Sequence, residues 1–190
     1  MRAILIAVML LVGAVSAQAQ PAAPQAVLHA AVANVIRPNV LQFDADARGL
    51  QSAMTALCAA PSAEAVEIAD QQFALVVAAY GRIEFLRLGP VMEDNRADRM
   101  LFWPDRRSIG LKQVQAILTE EAPLATDPTS LESKSVAVQG LGALEYVLFG
   151  TGAESLSTAD GAFRCAYGQA IAANIAAMAQ ELVIGWYLPG

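Results

Sequence analysis

Two glycines and one carboxylate sit inside an apolar, helix-periodic run, Lys134-Ser-Val-Ala-Val-Gln-Gly-Leu-Gly-Ala-Leu-Glu-Tyr-Val-Leu-Phe-Gly150. At helical spacing Gln139, Gly142, Glu145 (with Tyr146) and Phe149 fall on one stripe, flanked by Val136, Leu144, Val147 and Leu148. An interior glycine costs about 1 kcal/mol relative to alanine, so a helix holding both Gly140 and Gly142 must gain from close packing or from a ligand against bare backbone. Two readings follow. One is a helix-on-helix contact with Glu145 at its rim; the other is a groove that binds a ligand beside Gln139, Gly140, Gly142 and Glu145.

A second set of polar groups lies on the amphipathic run Glu64 to Leu88, where Phe73, Val77, Tyr80, Glu84 and Arg87 share a stripe. There Glu84 and Arg87 are neighbours at i, i+3, and a helix-surface ion pair is the bland reading. The functional reading is convergence of Glu84 with Glu145 in a bundle interior. Two unpaired carboxylates there would favour a divalent cation or iron, because oxygen ligands suit hard metals. Trp103 and Asp105 belong to a charged, turn-rich segment, Val91 to Ser108, too long and aromatic for a mere connector. Trp103 and Asp105, with Glu84 and Arg87, are candidate ligand-binding residues; the bland reading is that Trp103 caps the bundle, with the charges of Asp105 and Arg106 left in water. His29 is the only histidine, which argues against a Ser-His-Asp triad and leaves too few ligands for a catalytic zinc site. The chain has no His-Glu-x-x-His, phosphate-binding glycine loop or calcium loop.

The elements that must position these groups are helical. Ala23 to about Arg37 and Val40 to Ala59 are periodic runs interrupted at Pro38, and they read as one kinked helix or two. Pro61-Ser62 marks a turn before the Glu64–Leu88 run, which Gly89-Pro90 stops. A helix over about Gly110 to Glu121 precedes a Pro/Thr/Asp/Ser loop, and the glycine-bearing helix is expected from about Leu131 to Phe149. Ser157-Thr-Ala-Asp160 reads as a variant capping box opening a last helix that runs to about Tyr187. No convincing β-alternation is present, so the fold class is all-α, an antiparallel helical bundle.

The first 19 residues read as an export signal: Arg2 is basic, Ala3 to Val15 apolar, and Ala17-Gln18-Ala19 a small-residue cleavage site. Residues 20–190 then form one helical domain, and the expected location is the periplasm. Without Arg2 the balance is 11 basic against 18 acidic residues, which disfavours nucleic acid and anionic membrane surfaces as partners. No membrane span remains after cleavage, because the apolar run Cys165 to Gln180 is interrupted by Gln169 and Asn174 and closed by Glu181. Cys58 and Cys165 are the only cysteines; in an oxidising compartment they are a candidate disulfide, with two buried thiols as the alternative.

Four segments in order, Ile83-Glu-Phe-Leu-Arg-Leu-Gly-Pro90, Leu101-Phe-Trp-Pro-Asp105, Lys134 through Glu145, and Arg164-Cys165, resemble the imelysin (insulin-cleaving membrane protease) family. The resemblance spans nearly the whole mature chain. It implies an exported all-helical bacterial protein built of two related bundles, linked to iron uptake and classed with metallopeptidases, with this chain as the N-terminal bundle. The family hallmark is Gly-x-His-x-x-Glu. Here the matching residues are Gly140-Leu-Gly142-Ala-Leu-Glu145, so glycine stands at the histidine position and a His/Glu metal pair does not carry over. Family members are about twice as long, and their proposed site lies between the bundles. The chain is therefore expected to be a truncated product or a bundle that pairs with a second bundle or, as a homo-oligomer, with its own copy. The expected function is a non-enzymatic periplasmic binding or accessory protein connected with iron uptake, taking a small ligand or metal ion. The alternatives are a metallopeptidase of the imelysin type and a helical protein-interaction module.

Overall fold

Most of the apolar-periodic runs are helical, and no strand occurs among the described residues, 23–188, of this computed structural model. The export signal expected over residues 1–19 lies outside them. Helix α1 (Pro24–Ala31) runs into α2 (Arg37–Ala59) through a wide π-helical turn, Val32–Ile36. That turn ends two residues before Pro38, which lacks an N–H and crowds the carbonyl one turn back, so the local ladder widens and the helix continues. Of the two N-terminal readings, the single deformed helix is the one observed.

Ser62 opens α3 (Ala63–Gly81), its hydroxyl accepting from the Ala65 N–H at 3.1 Å. Helix α2 packs on α3 and on the long C-terminal helix α8 (Ala162–Tyr187). Phe43, Leu50, Met54 and Leu57 of α2 meet Tyr167, Ile171 and Ile175 of α8 in a fully buried core. Two links show that α2 and α8 run antiparallel. At one end Arg37 Nε donates to the Trp186 carbonyl at 2.8 Å. At the other Cys58 and Cys165 form a disulfide, with Cα atoms 5.5 Å apart across a separation of 107 residues. Closing a loop of that length stabilises the fold by roughly 4 to 5 kcal/mol in the chain-entropy model. No helix among the described residues is long and apolar enough to cross a membrane.

Three expected boundaries are corrected. Helix α3 ends at Gly81 rather than Leu88; Ile83 and Leu86 stay buried, but from successive turns, so Glu84 and Arg87 do not share a helix stripe. The Ser157–Asp160 capping box does not form. Two short 3-10 turns, Ala153–Ser157 and Ala159–Gly161, precede α8, whose N-cap position is Gly161 without a side-chain cap. Third, the single helix expected from Leu131 to Phe149 is broken into α6 (Pro128–Glu132), a 3-10 turn Val136–Val138, and α7 (Leu141–Phe149). Two further helices, α4 (Arg96–Met100) and α5 (Ile109–Glu120), bracket the aromatic loop.

Candidate functional site

The break before α7 is made by Gln139. Its side chain is fully buried, and its Oε1 accepts from Arg99 Nε at 2.9 Å and from Asn174 Nδ2 at 3.3 Å. Its Nε2 donates to the Lys134 carbonyl at 2.9 Å, with longer bonds to the carbonyls of Glu132 and Ser135. Arg99 also donates to Asn174 Oδ1 at 3.2 Å and pairs with Glu132 at 3.1 Å, while Asn174 Nδ2 donates to the Gln139 carbonyl at 2.8 Å. Buried polar groups are stable only when satisfied in this way. The network therefore pins the segment from Glu132 to Gln139 onto α4 and α8, and it turns Gln139 away from the surface that Gly142 and Glu145 occupy. The expected stripe is corrected accordingly: Gln139 belongs to the core scaffold.

The two glycines have different reasons. Gly140 is the N-cap of α7, and a Cβ there would lie 2.2 Å from the Arg99 carbonyl oxygen and 2.4 Å from that of Met100. Only glycine allows this backbone approach. Gly142 lies in the first turn of α7 and a Cβ there would meet nothing within 4 Å. It opens onto a cleft of about 380 Å³ between α5, α7 and the loop after α4. Gly142, Glu145 and Phe149 line the cleft together with Trp103, Asp105 and Leu111, so Gly140, Gly142, Glu145, Trp103 and Asp105 are brought together as site residues. Glu84 and Arg87 do not line it. They lie with Asp98 near the Tyr80 hydroxyl, whose pKa burial pushes up to about 12, Arg87 opposing and the two acids adding to the rise.

Within the cleft the two carboxylates differ. Asp105 accepts from the backbone N–H groups of Ile109 at 2.7 Å, Gly110 at 2.9 Å and Leu111 at 3.3 Å, holding the exposed N-terminus of α5. It is a helix cap, contrary to the expectation of a free charge in water. Glu145 is exposed and has no hydrogen bond or ion pair with any described residue. Trp103, 76% exposed, does not cap the bundle as expected; it stands at the cleft rim. Phe149, 55% exposed, also lines the cleft and packs its ring 5.8 Å from that of Phe73.

Sequence reasoning missed Arg99, Asn174 and Arg164. Arg164 donates to the carbonyls of Tyr146 at 3.2 Å and Val147 at 3.0 Å, capping the C-terminus of α7. The signal for Arg164 was its place beside Cys165 in a segment that carries the family resemblance. Arg99 carried none beyond being a cation inside a short amphipathic stretch.

For a metal centre of the peptidase kind the donor set does not fit. Gly142 brings no side chain, Asp105 is committed to three amides, and one free carboxylate remains. Among the described residues no group of three or more His, Cys, Asp or Glu side chains could hold a metal ion.

The crystal structure of an imelysin-like protein from Psychrobacter arcticum 273-4 matches the fold with a TM-score of 0.75 at 20% identity, covering 85% of this chain. The match covers 49% of that protein, so the chain spans about half its length. No curated protein matches. A family model described as Imelysin (Peptidase_M75) matches residues 36–189. That match takes in both long packed helices, the Arg99–Gln139–Asn174 network and the cleft-lining α7, and the chain belongs to the imelysin family.

Proposed function

We propose that this is an exported, periplasmic binding or accessory protein connected with iron uptake, and that the cleft beside Gly142 and Glu145 is its recognition surface. The observation that carries the reading is the pairing of an unfilled notch at Gly142 with an unpartnered Glu145 carboxylate one turn along the same helix. The fold holds this pair in place with a buried polar network behind it. With a single free carboxylate, the chain supplies one anionic contact to a cation or cationic small ligand. The remaining donors come from the ligand itself or from a second bundle or copy closing the cleft. Iron uptake and export enter from the family likeness and the leader-like N-terminus.

Anaerobic equilibrium dialysis of the purified protein against ferrous iron tests the reading. Wild type should retain iron, and Glu145→Ala should retain it about tenfold more weakly while melting at the same temperature. Equal retention by the two proteins, or none by either, removes the proposal. The exposed aromatic rim, Trp103 and Phe149, favours a second reading in which this face packs against another helical bundle. Under that reading Trp103→Ala shifts the protein toward a lower sedimentation coefficient, whereas Glu145→Ala leaves it unchanged.

A further inference from the structure

Helix α3 buries one face only. Ala69, Phe73, Val76, Ala79 and Tyr80 are buried, and α3 packs chiefly on α2. Its outer face is open and apolar: Ile68, Leu75 and Val77 are 47%, 49% and 43% exposed, with Ala74, Ala78 and Gly81 exposed beside them. Glu64, Ile68, Gln71, Leu75, Ala78 and Arg82 are all exposed and recur at alternating intervals of four and three, the spacing of a coiled-coil seam. None of these residues lines the cleft. The seam ends in opposite charges, Glu64 with its neighbour Glu67 at the start of the helix and Arg82 at its close. Among the described residues neither Glu64 nor Arg82 forms an ion pair.

Those charges decide what can cover the face. A uniformly acidic or basic partner would match one end and be repelled at the other, and a parallel copy in register would set like charge on like. An antiparallel copy, with its two-fold axis level with Phe73, puts Glu64 against the partner's Arg82, Ile68 against the partner's Ala78 and Gln71 against the partner's Leu75. Symmetry repeats each pair, and the two helix dipoles oppose. Every layer then matches charge with charge or a large side chain with a smaller or flexible one. Gln71 brings an amide already donating to Glu67 Oε1 at 3.2 Å, and Ala74 and Gly81 on the flank let the backbones approach. We propose that the chain self-associates through this outer face of α3, as a two-fold antiparallel helix pair. At about 1.5 Å per residue the seam is about 27 Å long, and a strip of that length and about 10 Å width falls below the roughly 800 Å² per partner of a standard interface. The dimer is therefore a dissociating one, weakened by salt.

The test is sedimentation velocity of the purified protein at low salt, from about 5 µM to about 1 mM. The wild-type sedimentation coefficient should rise with concentration toward that of a dimer. Glu64→Arg and Arg82→Glu should each weaken association by about tenfold, because the two-fold axis places the reversed charge at both ends of the seam. The double variant carrying both changes should recover wild-type affinity to within about threefold, an outcome that a general loss of stability would not give. Leu75→Asp should be monomeric throughout. All three positions are exposed, and equal melting temperatures of the variants in dilute solution check that the fold is kept. A wild-type protein that stays monomeric over the whole range overturns the proposal. So do single charge reversals that dimerise as well as wild type, or a double variant that fails to recover. Dispersal of the dimer by Trp103→Ala but not by the α3 variants would also overturn it, by moving the contact to the cleft.

Discussion

Replacing Gly140 or Gly142 by alanine adds the same methyl group at two positions two residues apart, yet the two changes should move stability in opposite directions. At Gly140 the new carbon would lie 2.2 Å and 2.4 Å from the carbonyl oxygens of Arg99 and Met100, both backbone atoms that cannot swing aside. Relief requires α4 to retreat, and α4 carries Arg99, whose guanidinium is held by Gln139, Asn174 and Glu132. Overpacking of this kind costs about 1–3 kcal/mol, and disturbing a buried charge network adds to it, so Gly140→Ala should lose about 3 kcal/mol or more. At Gly142 nothing lies within 4 Å and the position is helical, so alanine restricts the unfolded chain without a clash. The gain there is about 0.4–1 kcal/mol. In a domain of this size each 1 kcal/mol moves the melting temperature by about 2–4 °C. Gly140→Ala should therefore melt at least about 6 °C lower and Gly142→Ala about 1–4 °C higher. Urea and thermal denaturation followed by far-UV circular dichroism measure both. Similar shifts of the same sign in the two variants would refute the reasoning, because they would mean one uninterrupted helix running through both glycines.

Three further outcomes follow from the same geometry. Gly142→His places an imidazole at i and Glu145 at i+3 on the open face of α7, creating a two-ligand metal site. Nickel at a hundredfold excess over its dissociation constant should stabilise this variant by about 2.7 kcal/mol, while wild type gains nothing comparable and Glu145→Gln abolishes the effect. Asp105→Ala leaves three amide donors of α5 without their acceptor and should cost about 1–2 kcal/mol in urea denaturation; a loss within error would show that Asp105 is dispensable as a cap. Burial raises the Asp70 carboxyl above its ordinary value of 3.8, so its contribution to stability is full in acid below that value and is lost as pH rises through the folded-state value. Asp70→Asn should consequently stabilise the protein at neutral pH and change little in strong acid; the opposite pattern would show that Asp70 is held by a favourable partner.

The long helices were legible because their periodicity is local: α3 starts after Ser62 and α8 ends at Tyr187, where the turn and breaker residues put them. The disulfide was legible because the chain has two cysteines and its first 19 residues read as an export signal. Gln139 was not. No proline breaks the run from Leu131 to Phe149, and the residues that stop the helix, Arg99 and Asn174, are 40 and 35 positions away in sequence. The end of α3 was misplaced for a related reason. Ile83 and Leu86 continue the apolar pattern, but tertiary burial satisfies them from turns as well as it would from a helix. Within the cleft, the i, i+3 spacing of Gly142 and Glu145 survived the break because both lie inside α7. The role of Asp105 was hidden because its partners are backbone amides, which leave no residue type to recognise.

Whether α7 turns its glycine notch and Glu145 into a cation-attracting cleft can be read out with manganous ion as a paramagnetic probe of isotopically labelled protein. Line broadening should centre on the amides of Gly142 to Tyr146 and of Ile109 to Leu111 and should be abolished by Glu145→Ala. Broadening spread over the acidic surface, or centred elsewhere and unchanged in that variant, would contradict a cation-attracting cleft.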